Sequence, residues 1–155
     1  MDKKIIKYKT KGEQKMEFIV QNALEGSRTN KFADIEVGKA NIKVIGVGGG
    51  GSNATSWLYK KGIKGAEIYA INTDKQHLDI SEADQKVLIG ANLTKGLGAG
   101  GYPNVGQEAA KESMHQLREA LKGSDMVFIC GGMGGGTGTG AAPVVSQLAK
   151  EAGAV

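Results

Sequence analysis

Short apolar runs alternate with helical patterns along most of the chain. The runs at residues 42–47, 67–71, 87–89 and 126–130 contain many β-branched residues and predict four strands. Between and after them, helices are predicted at residues 53–61, around 110–121 and at 141–152, with Pro143 in the first turn of the last. Strands that alternate with helices pair in parallel, so the pattern predicts an α/β fold with a doubly wound parallel sheet.

The first 40 residues differ from this pattern. Residues 1–15 carry six lysines and two acidic residues, which accounts for the formal net charge of +4. An amphipathic helix is predicted next, with an apolar face formed by Met16, Ile19, Val20, Ala23 and Leu24. A polar connector at 27–40 follows. We therefore expect a basic tail, a helix and a connector at 1–40, and one folded domain at 41–155.

Charge and hydropathy narrow the class of protein. The lysines of the first 15 residues are typical of a solvated tail, so we expect no nucleic-acid partner. No run approaches the roughly 18 apolar residues of a membrane span, and the basic N-terminus is not followed by the apolar core of a secretory signal. We expect a cytoplasmic protein with no direct membrane span.

Glycine is the main compositional anomaly. The chain has 25 glycines among 155 residues, well above the usual share of about 7%. They concentrate at 46–51, 96–106 and 131–140, and the first and third blocks lie between a strand and a helix. Such blocks meet at the carboxyl edge of a parallel sheet and present backbone N–H groups without side chains in the way. This arrangement is typical of phosphate binding.

Two nucleotide-binding interpretations follow from the glycines alone. Residues 46–51 fit G-x-G-x-x-G, and Asp74 lies a little beyond the usual spacing to an acid on the next strand, so an NAD-binding Rossmann protein is one alternative. That fold does not need the second and longer glycine block at 134–140. A Walker-type loop is not indicated, because no G-K-[ST] follows any glycine run.

A resemblance to a known family appears in the third block. The stretch GGMGGGTGTGAAP at 131–143 closely resembles the signature loop of the tubulin/FtsZ family of cell-division GTPases. KVIGVGGGGSNA at 43–54, AINTD at 70–74 and GLGAG at 96–100 resemble FtsZ segments in the same order. The resemblance covers roughly residues 41–155. It implies a tubulin/FtsZ-like, Rossmann-like domain that binds GTP or GDP, with Mg²⁺ expected alongside GTP, in a polymer-forming cell-division protein.

The same resemblance implies roles for individual residues. The first phosphate loop corresponds to Gly48, Gly49, Gly50, Gly51, Ser52 and Asn53. The main phosphate cradle corresponds to Gly134, Gly135, Gly136, Thr137, Gly138, Thr139 and Gly140. Within it, Thr137 and Thr139 can add hydroxyl donors to the backbone amides. The loop that senses the γ-phosphate corresponds to Ala99, Gly100 and Gly101, where GAGGYP replaces the GAGANP of most bacterial relatives.

The polar residues after the second strand have two interpretations. By resemblance, Asn72 and Asp74 belong to a loop in which an acid can hold the magnesium shell or a water near the phosphates. The structural alternative is an Asx turn or a helix cap. His77 and His115 have no Cys, Asp or Glu at metal-ligand spacing, so no metal site is predicted on them.

The resemblance also implies which parts of the machinery this sequence lacks. In the family, residues beyond this chain's end grip the guanine, and carboxylates of a later loop reach into the nucleotide of the neighbouring subunit. We therefore expect a truncated domain with no catalytic residue of its own, from a GTPase that self-associates head to tail at the division site. Division-ring proteins are further candidate partners. A non-catalytic nucleotide- or filament-binding fragment is the alternative.

Overall fold

The described part of the chain is built on one parallel sheet. The computed structural model describes residues 39–155, and the strands in this range are β1 (Ile42–Val47), β2 (Ala66–Asn72), β3 (Gln85–Leu88) and β4 (Met126–Gly131), in the order β3-β2-β1-β4. The predicted parallel sheet is confirmed. The basic tail, the amphipathic helix and nearly all of the polar connector lie outside the described residues.

The strand register brings two glycine blocks together. Ile42 at the start of β1 pairs with Ala66 on one side and Met126 on the other, while Val47 at its end pairs with Ile71 and Gly131. β1 and β4 are therefore flush at both ends, and β2 extends one residue further, to Asn72. The chain segments that follow β1 and β4 leave the sheet side by side, which confirms the prediction that both blocks lie at the same edge.

Helices cover both faces of the sheet. They are α1 (Gly48–Lys60), α2 (Lys75–Ile80), α3 (Ala91–Thr94), α4 (Pro103–Glu112), α5 (Met114–Leu121) and α6 (Gly136–Glu151). Successive strand residues point to opposite faces. Ile45 and Val47 are fully buried in a cluster with residues of α4, α5 and α6, whereas Gly46 faces Thr55 of α1. In residues 39–155, no helix is both long and apolar enough to cross a membrane.

The predicted starts of two helices are wrong. α1 begins at Gly48 and α6 at Gly136, in place of Asn53 and Ala141. Glycine has a weak helix propensity, but here close packing of helix backbone requires it. A Cβ on Gly51 would overlap the carbonyl oxygen of Cys130 in β4, and one on Gly140 would overlap the carbonyl of Pro103. Helix positions at these two contacts can therefore hold only glycine.

The earlier start of α6 moves Pro143 into the helix interior, where the sequence predicted the first turn. Proline has no N–H, so the carbonyl of Thr139 lacks its usual partner four residues on. Pro143 itself is exposed.

Other elements also differ from the prediction. The single helix predicted around 110–121 divides into α4 and α5 at Ser113, whose backbone leaves the helical region and whose Oγ accepts a 2.9 Å hydrogen bond from Gly90 N. The third strand spans Gln85–Leu88 rather than 87–89. The short helices α2 and α3 were not predicted.

A buried lysine joins β1 to α5. Lys43 is only 5% exposed, and its Nζ donates to the backbone carbonyls of Ala120, at 2.6 Å, and Lys122, at 3.2 Å. These carbonyls belong to the C-terminal end of α5, where the helix dipole favours a cation. The same Nζ lies 5.2 Å from the centre of the Tyr69 ring. Lys43 thus fixes the end of α5 against the sheet.

Candidate functional site

The first turns of α1 and α6 touch each other through their backbones. A Cβ on Gly48 would lie 2.7 Å from the amide nitrogen of Gly138, and one on Gly50 would lie 3.4 Å from Cα of Gly132. A side chain at Gly48 would force the two helices apart, and one at Gly138 would collide with the carbonyl of Gly132, just before α6. The glycines therefore allow two helix N-termini to approach each other at the carboxyl edge of the sheet.

Neither helix start is capped by a side chain. No side-chain hydrogen bond is made by the N-cap residue of α1 or α6, and no acidic residue lies in either first turn. The first N–H groups of a helix lack intrahelical acceptors and carry the positive end of its dipole. Two such ends, side by side and free of bulky side chains, suit an anion such as phosphate.

The third glycine segment lies against the start of α6. A Cβ on Gly136 would lie 2.8 Å from both Cβ of Ala99 and the amide nitrogen of Tyr102. The same segment is tied to the end of β2, because Gly98 N donates to the carbonyl of Thr73 at 3.2 Å. The structure thus brings Ala99, with Gly100 and Gly101, to the edge that holds the other two glycine blocks.

At the end of β2 the chain forms both an Asx turn and a helix cap, the two structural alternatives to magnesium binding that the sequence indicates. Asn72 Oδ1 accepts hydrogen bonds from Thr73 N at 2.9 Å and Asp74 N at 3.3 Å, which is an Asx turn. Asp74 Oδ1 accepts from His77 N at 3.0 Å and caps α2. The other carboxylate oxygen of Asp74, Oδ2, faces Gly98.

The threonines of the cradle have partners within the protein. Thr137 Oγ1 lies 2.7 Å from Thr73 Oγ1, and both side chains are buried. Thr139 Oγ1 accepts a 3.0 Å hydrogen bond from Gly134 N. A hydroxyl that accepts one hydrogen bond still has a proton to donate. A phosphate contact from Thr139 or Thr137 stays a prediction.

Ser52 and Asn53 follow the glycines of α1 but differ in environment. Ser52 is fully buried, and within residues 39–155 its Oγ has no hydrogen-bond partner. Asn53 is exposed. Asn53 is therefore open to solvent, whereas Ser52 lies inside the packing of α1.

Two residues at this edge were missed by the sequence analysis as site residues. Thr73 links β2 to α6 through Thr137. The sequence predicts no metal site on His77, yet its ring lies against Gly49 in the first turn of α1. One sequence signal could have placed His77 at this edge. His77 lies three positions after Asp74, which is the spacing between a helix N-cap residue and the N–H group that its side chain accepts from.

Magnesium could be held here only with help from a ligand. Among the described residues no cluster of three or more His, Cys, Asp or Glu side chains is arranged to hold a metal. Mg²⁺ at nucleotide sites is usually bound by one or two carboxylates together with phosphate oxygens and waters. One carboxylate, that of Asp74, fits such a shell.

Comparison with known proteins agrees with this geometry. A family model described as "Tubulin/FtsZ family, GTPase domain" matches residues 41–155. The chain belongs to the tubulin/FtsZ family. It is 56% identical over 137 residues to cell division protein FtsZ 2 of Methanocaldococcus jannaschii, covering 88% of this chain and 36% of that protein. It is 57% identical over 117 residues to FtsZ of Aquifex aeolicus, covering 76% of this chain and 32% of the relative.

Solved structures share the fold. An empty FtsZ dimer of M. jannaschii superposes with a TM-score of 0.74 at 49% identity, over 88% of this chain and 37% of that one. A GTPγS-bound protofilament of CetZ2 from Haloferax volcanii gives a TM-score of 0.62 at 29% identity, over 69% of this chain and 35% of that one. The chain thus spans about a third of the length of these relatives.

Proposed function

We propose that this protein binds GTP and GDP through their phosphates at the edge where α1 and α6 begin. One observation carries the proposal: two uncapped helix N-termini meet there with Gly48 against Gly138, at a separation that leaves no room for a side chain. The N–H groups and the helix dipoles would both stabilise the phosphate charge.

Each segment would hold a different part of the nucleotide. Gly134–Gly140 would form the main cradle, and Gly48–Gly51 with Asn53 would lie along the inner phosphates. Residues 99–101, which pack on Gly136, would reach the terminal phosphate. Asp74 Oδ2 would hold magnesium through water. This magnesium would neutralise phosphate charge, while the chain's own groups bind and orient the nucleotide.

We further propose that the protein acts as an FtsZ-type GTPase of cell division, in the cytoplasm at the division site. In this proposal subunits associate head to tail, and hydrolysis takes place at a site shared between two subunits. The family match and the relatives named as cell division proteins support it. None of residues 1–155 is assigned as catalytic, so the 155-residue chain alone should bind nucleotide without turnover.

Calorimetry with GTP, GDP, ATP and NAD tests the proposal. We expect GTP and GDP to bind with only a weak preference over ATP, because the proposed contacts are to phosphate, and a Gly138→Val variant should lose this binding. A Cβ at Gly138 would already lie 2.6 Å from the carbonyl oxygen of Gly132. The matched control is Ser146→Val, an exposed position on the same helix. A preference for NAD over both triphosphates would favour the dinucleotide alternative and contradict the proposal.

A further inference from the structure

The orientation of the Asn72 side-chain amide is fixed by the backbone around it. Its Oδ1 accepts hydrogen bonds from two N–H groups, those of Thr73 and Asp74. An amide nitrogen cannot accept from an N–H group, so the opposite orientation would place donor against donor twice. Asn72 is 2% exposed, which leaves no water to compensate. The Nδ2 group must therefore point the other way, as a donor.

This orientation determines where the proton of His77 sits. Asn72 Nδ2 lies 3.3 Å from His77 Nδ1. Because Nδ2 can only donate, Nδ1 must accept and carries no proton in the neutral ring. The proton of the imidazole is then on Nε2. The Asx turn after β2 thus selects one tautomer of a histidine five residues along the chain.

The protonated nitrogen faces the start of α1. A Cβ built on Gly49 would lie 3.8 Å from Nε2 and 3.9 Å from Cε1 of His77, so this edge of the ring borders the space beside Gly49. His77 and Gly49 are half-buried, and the neighbouring Gly50 is exposed. Within residues 39–155 Nε2 has no hydrogen-bond partner. An N–H donor is thus held beside the uncapped first turn of α1.

We propose that His77 is a further phosphate-binding residue, whose Nε2–H donates to a phosphate oxygen of the nucleotide at the first turn of α1. The inference rests on the proposed nucleotide site and adds a side-chain donor to a site otherwise built from backbone amides. A side chain at position 49 would extend into the space beside His77 Nε2. Glycine at this position therefore keeps Nε2 accessible.

The tautomer can be measured first, without any nucleotide. The chain has two histidines, and His115 is exposed on α5. Long-range ¹H–¹⁵N correlation spectra should show His77 with an unprotonated Nδ1 and a protonated Nε2, whereas His115 provides the internal reference. Predominance of the Nδ1–H tautomer at His77 would overturn the proposal, because Nε2 would then be an acceptor facing phosphate.

Binding of GDP and of inorganic pyrophosphate then tests the contact itself. His77→Phe keeps a ring against Gly49 but removes the donor. It should weaken binding of both probes by the same factor, roughly tenfold or more, as expected for a hydrogen bond to a charged acceptor. His77→Gln restores an N–H donor and should recover most of this loss. His115→Gln should bind both probes as the wild type does.

The outcomes separate the two proposals. If the wild-type protein binds GDP and His77→Phe binds both probes as tightly as the wild type does, the assignment of His77 is wrong while the nucleotide site stands. Weakening of GDP binding alone would also overturn the assignment, because it would place the contact at the base or sugar. If the wild type binds neither probe, the proposed function fails, and the role of His77 with it. Thermal unfolding of each variant confirms that it is folded.

Discussion

The hydroxyl groups of Thr73 and Thr137 lie 2.7 Å apart in a buried position. Thr73 directly follows β2, and Thr137 lies in the first turn of α6. This hydrogen bond ties the cradle helix to a strand two positions away in the sheet, across β1 from β4.

Removing one of these hydroxyls should cost stability. Thr137→Val keeps the shape of the side chain but leaves Thr73 Oγ1 buried without this partner, so we expect the free energy of unfolding to fall by about 1–3 kcal/mol. Urea unfolding measures the loss. The Thr73→Val/Thr137→Val double variant should lose less than the sum of the single changes. Additive losses would show that the two hydroxyls do not interact.

Two glycines of the first turn of α1 should respond differently to the same substitution. Gly49→Ala places its methyl at ordinary contact distance, 3.8 Å from His77 Nε2, so stability should change by less than about 1 kcal/mol. GDP binding should weaken by roughly tenfold, because the methyl lies beside the amides proposed to bind phosphate. Calorimetry and urea unfolding of the same samples give both quantities.

Gly51→Ala is the matched comparison. Its Cβ would overlap the carbonyl oxygen of Cys130, so we expect the free energy of unfolding to fall by about 1–3 kcal/mol. Equal losses of stability in the Gly49 and Gly51 variants would contradict the view that β4 closes position 51 to a side chain and leaves position 49 open.

The buried amine of Lys43 should contribute to stability through the end of α5. Lys43→Met retains most of the aliphatic stem but leaves the carbonyls of Ala120 and Lys122 without their donor, and should cost about 1–3 kcal/mol. The control is Lys86→Met. Lys86 also donates to a backbone carbonyl, that of Asp79, but lies exposed, so its loss should change stability by less than about 0.5 kcal/mol.

Stability should fall at alkaline pH because of Tyr69. Burial, and then the neighbouring carboxylates of Glu67 and Asp84, raise the pKa of Tyr69 from 10.0 to about 12. Between these values the unfolded chain loses the phenol proton while the folded protein keeps it. This contribution is complete below pH 10 and is lost at about 1.4 kcal/mol per pH unit up to 12.

The Tyr69→Phe variant isolates that effect. Its unfolding free energy should lack this part of the decline between pH 10 and 12, whereas Tyr102→Phe, which changes an exposed phenol, should follow the wild type. Parallel pH profiles for wild type and Tyr69→Phe would show that the phenol has the same affinity for its proton in both states.

The sheet and its functional edge could be predicted because their signals are local. β1, β2 and β4 are apolar runs of β-branched residues, and parallel strands place whatever follows them at one edge. The helix starts could not be predicted in this way. Gly51 and Gly140 lie in helices although glycine favours helix poorly. Each is required because another segment's carbonyl occupies the place of a Cβ, and that contact depends on the tertiary structure.

The role of His77 was hidden for a similar reason. Its spacing from other ligands argues against a metal site, but the sequence does not show that Asn72 faces Nδ1 or that Gly49 lies beside Nε2. Helices α2 and α3, of six and four residues, are too short to show a helical period.

The environment of Lys43 also has a use in chemical labelling. Amine-reactive reagents need an accessible, unbonded nitrogen, and Nζ of Lys43 is buried and donates to two carbonyls. Exposed lysines such as Lys61 and Lys95 should react at once. Lys43 should react only when α5 separates from β1, so its modification rate reports how often that part of the molecule opens.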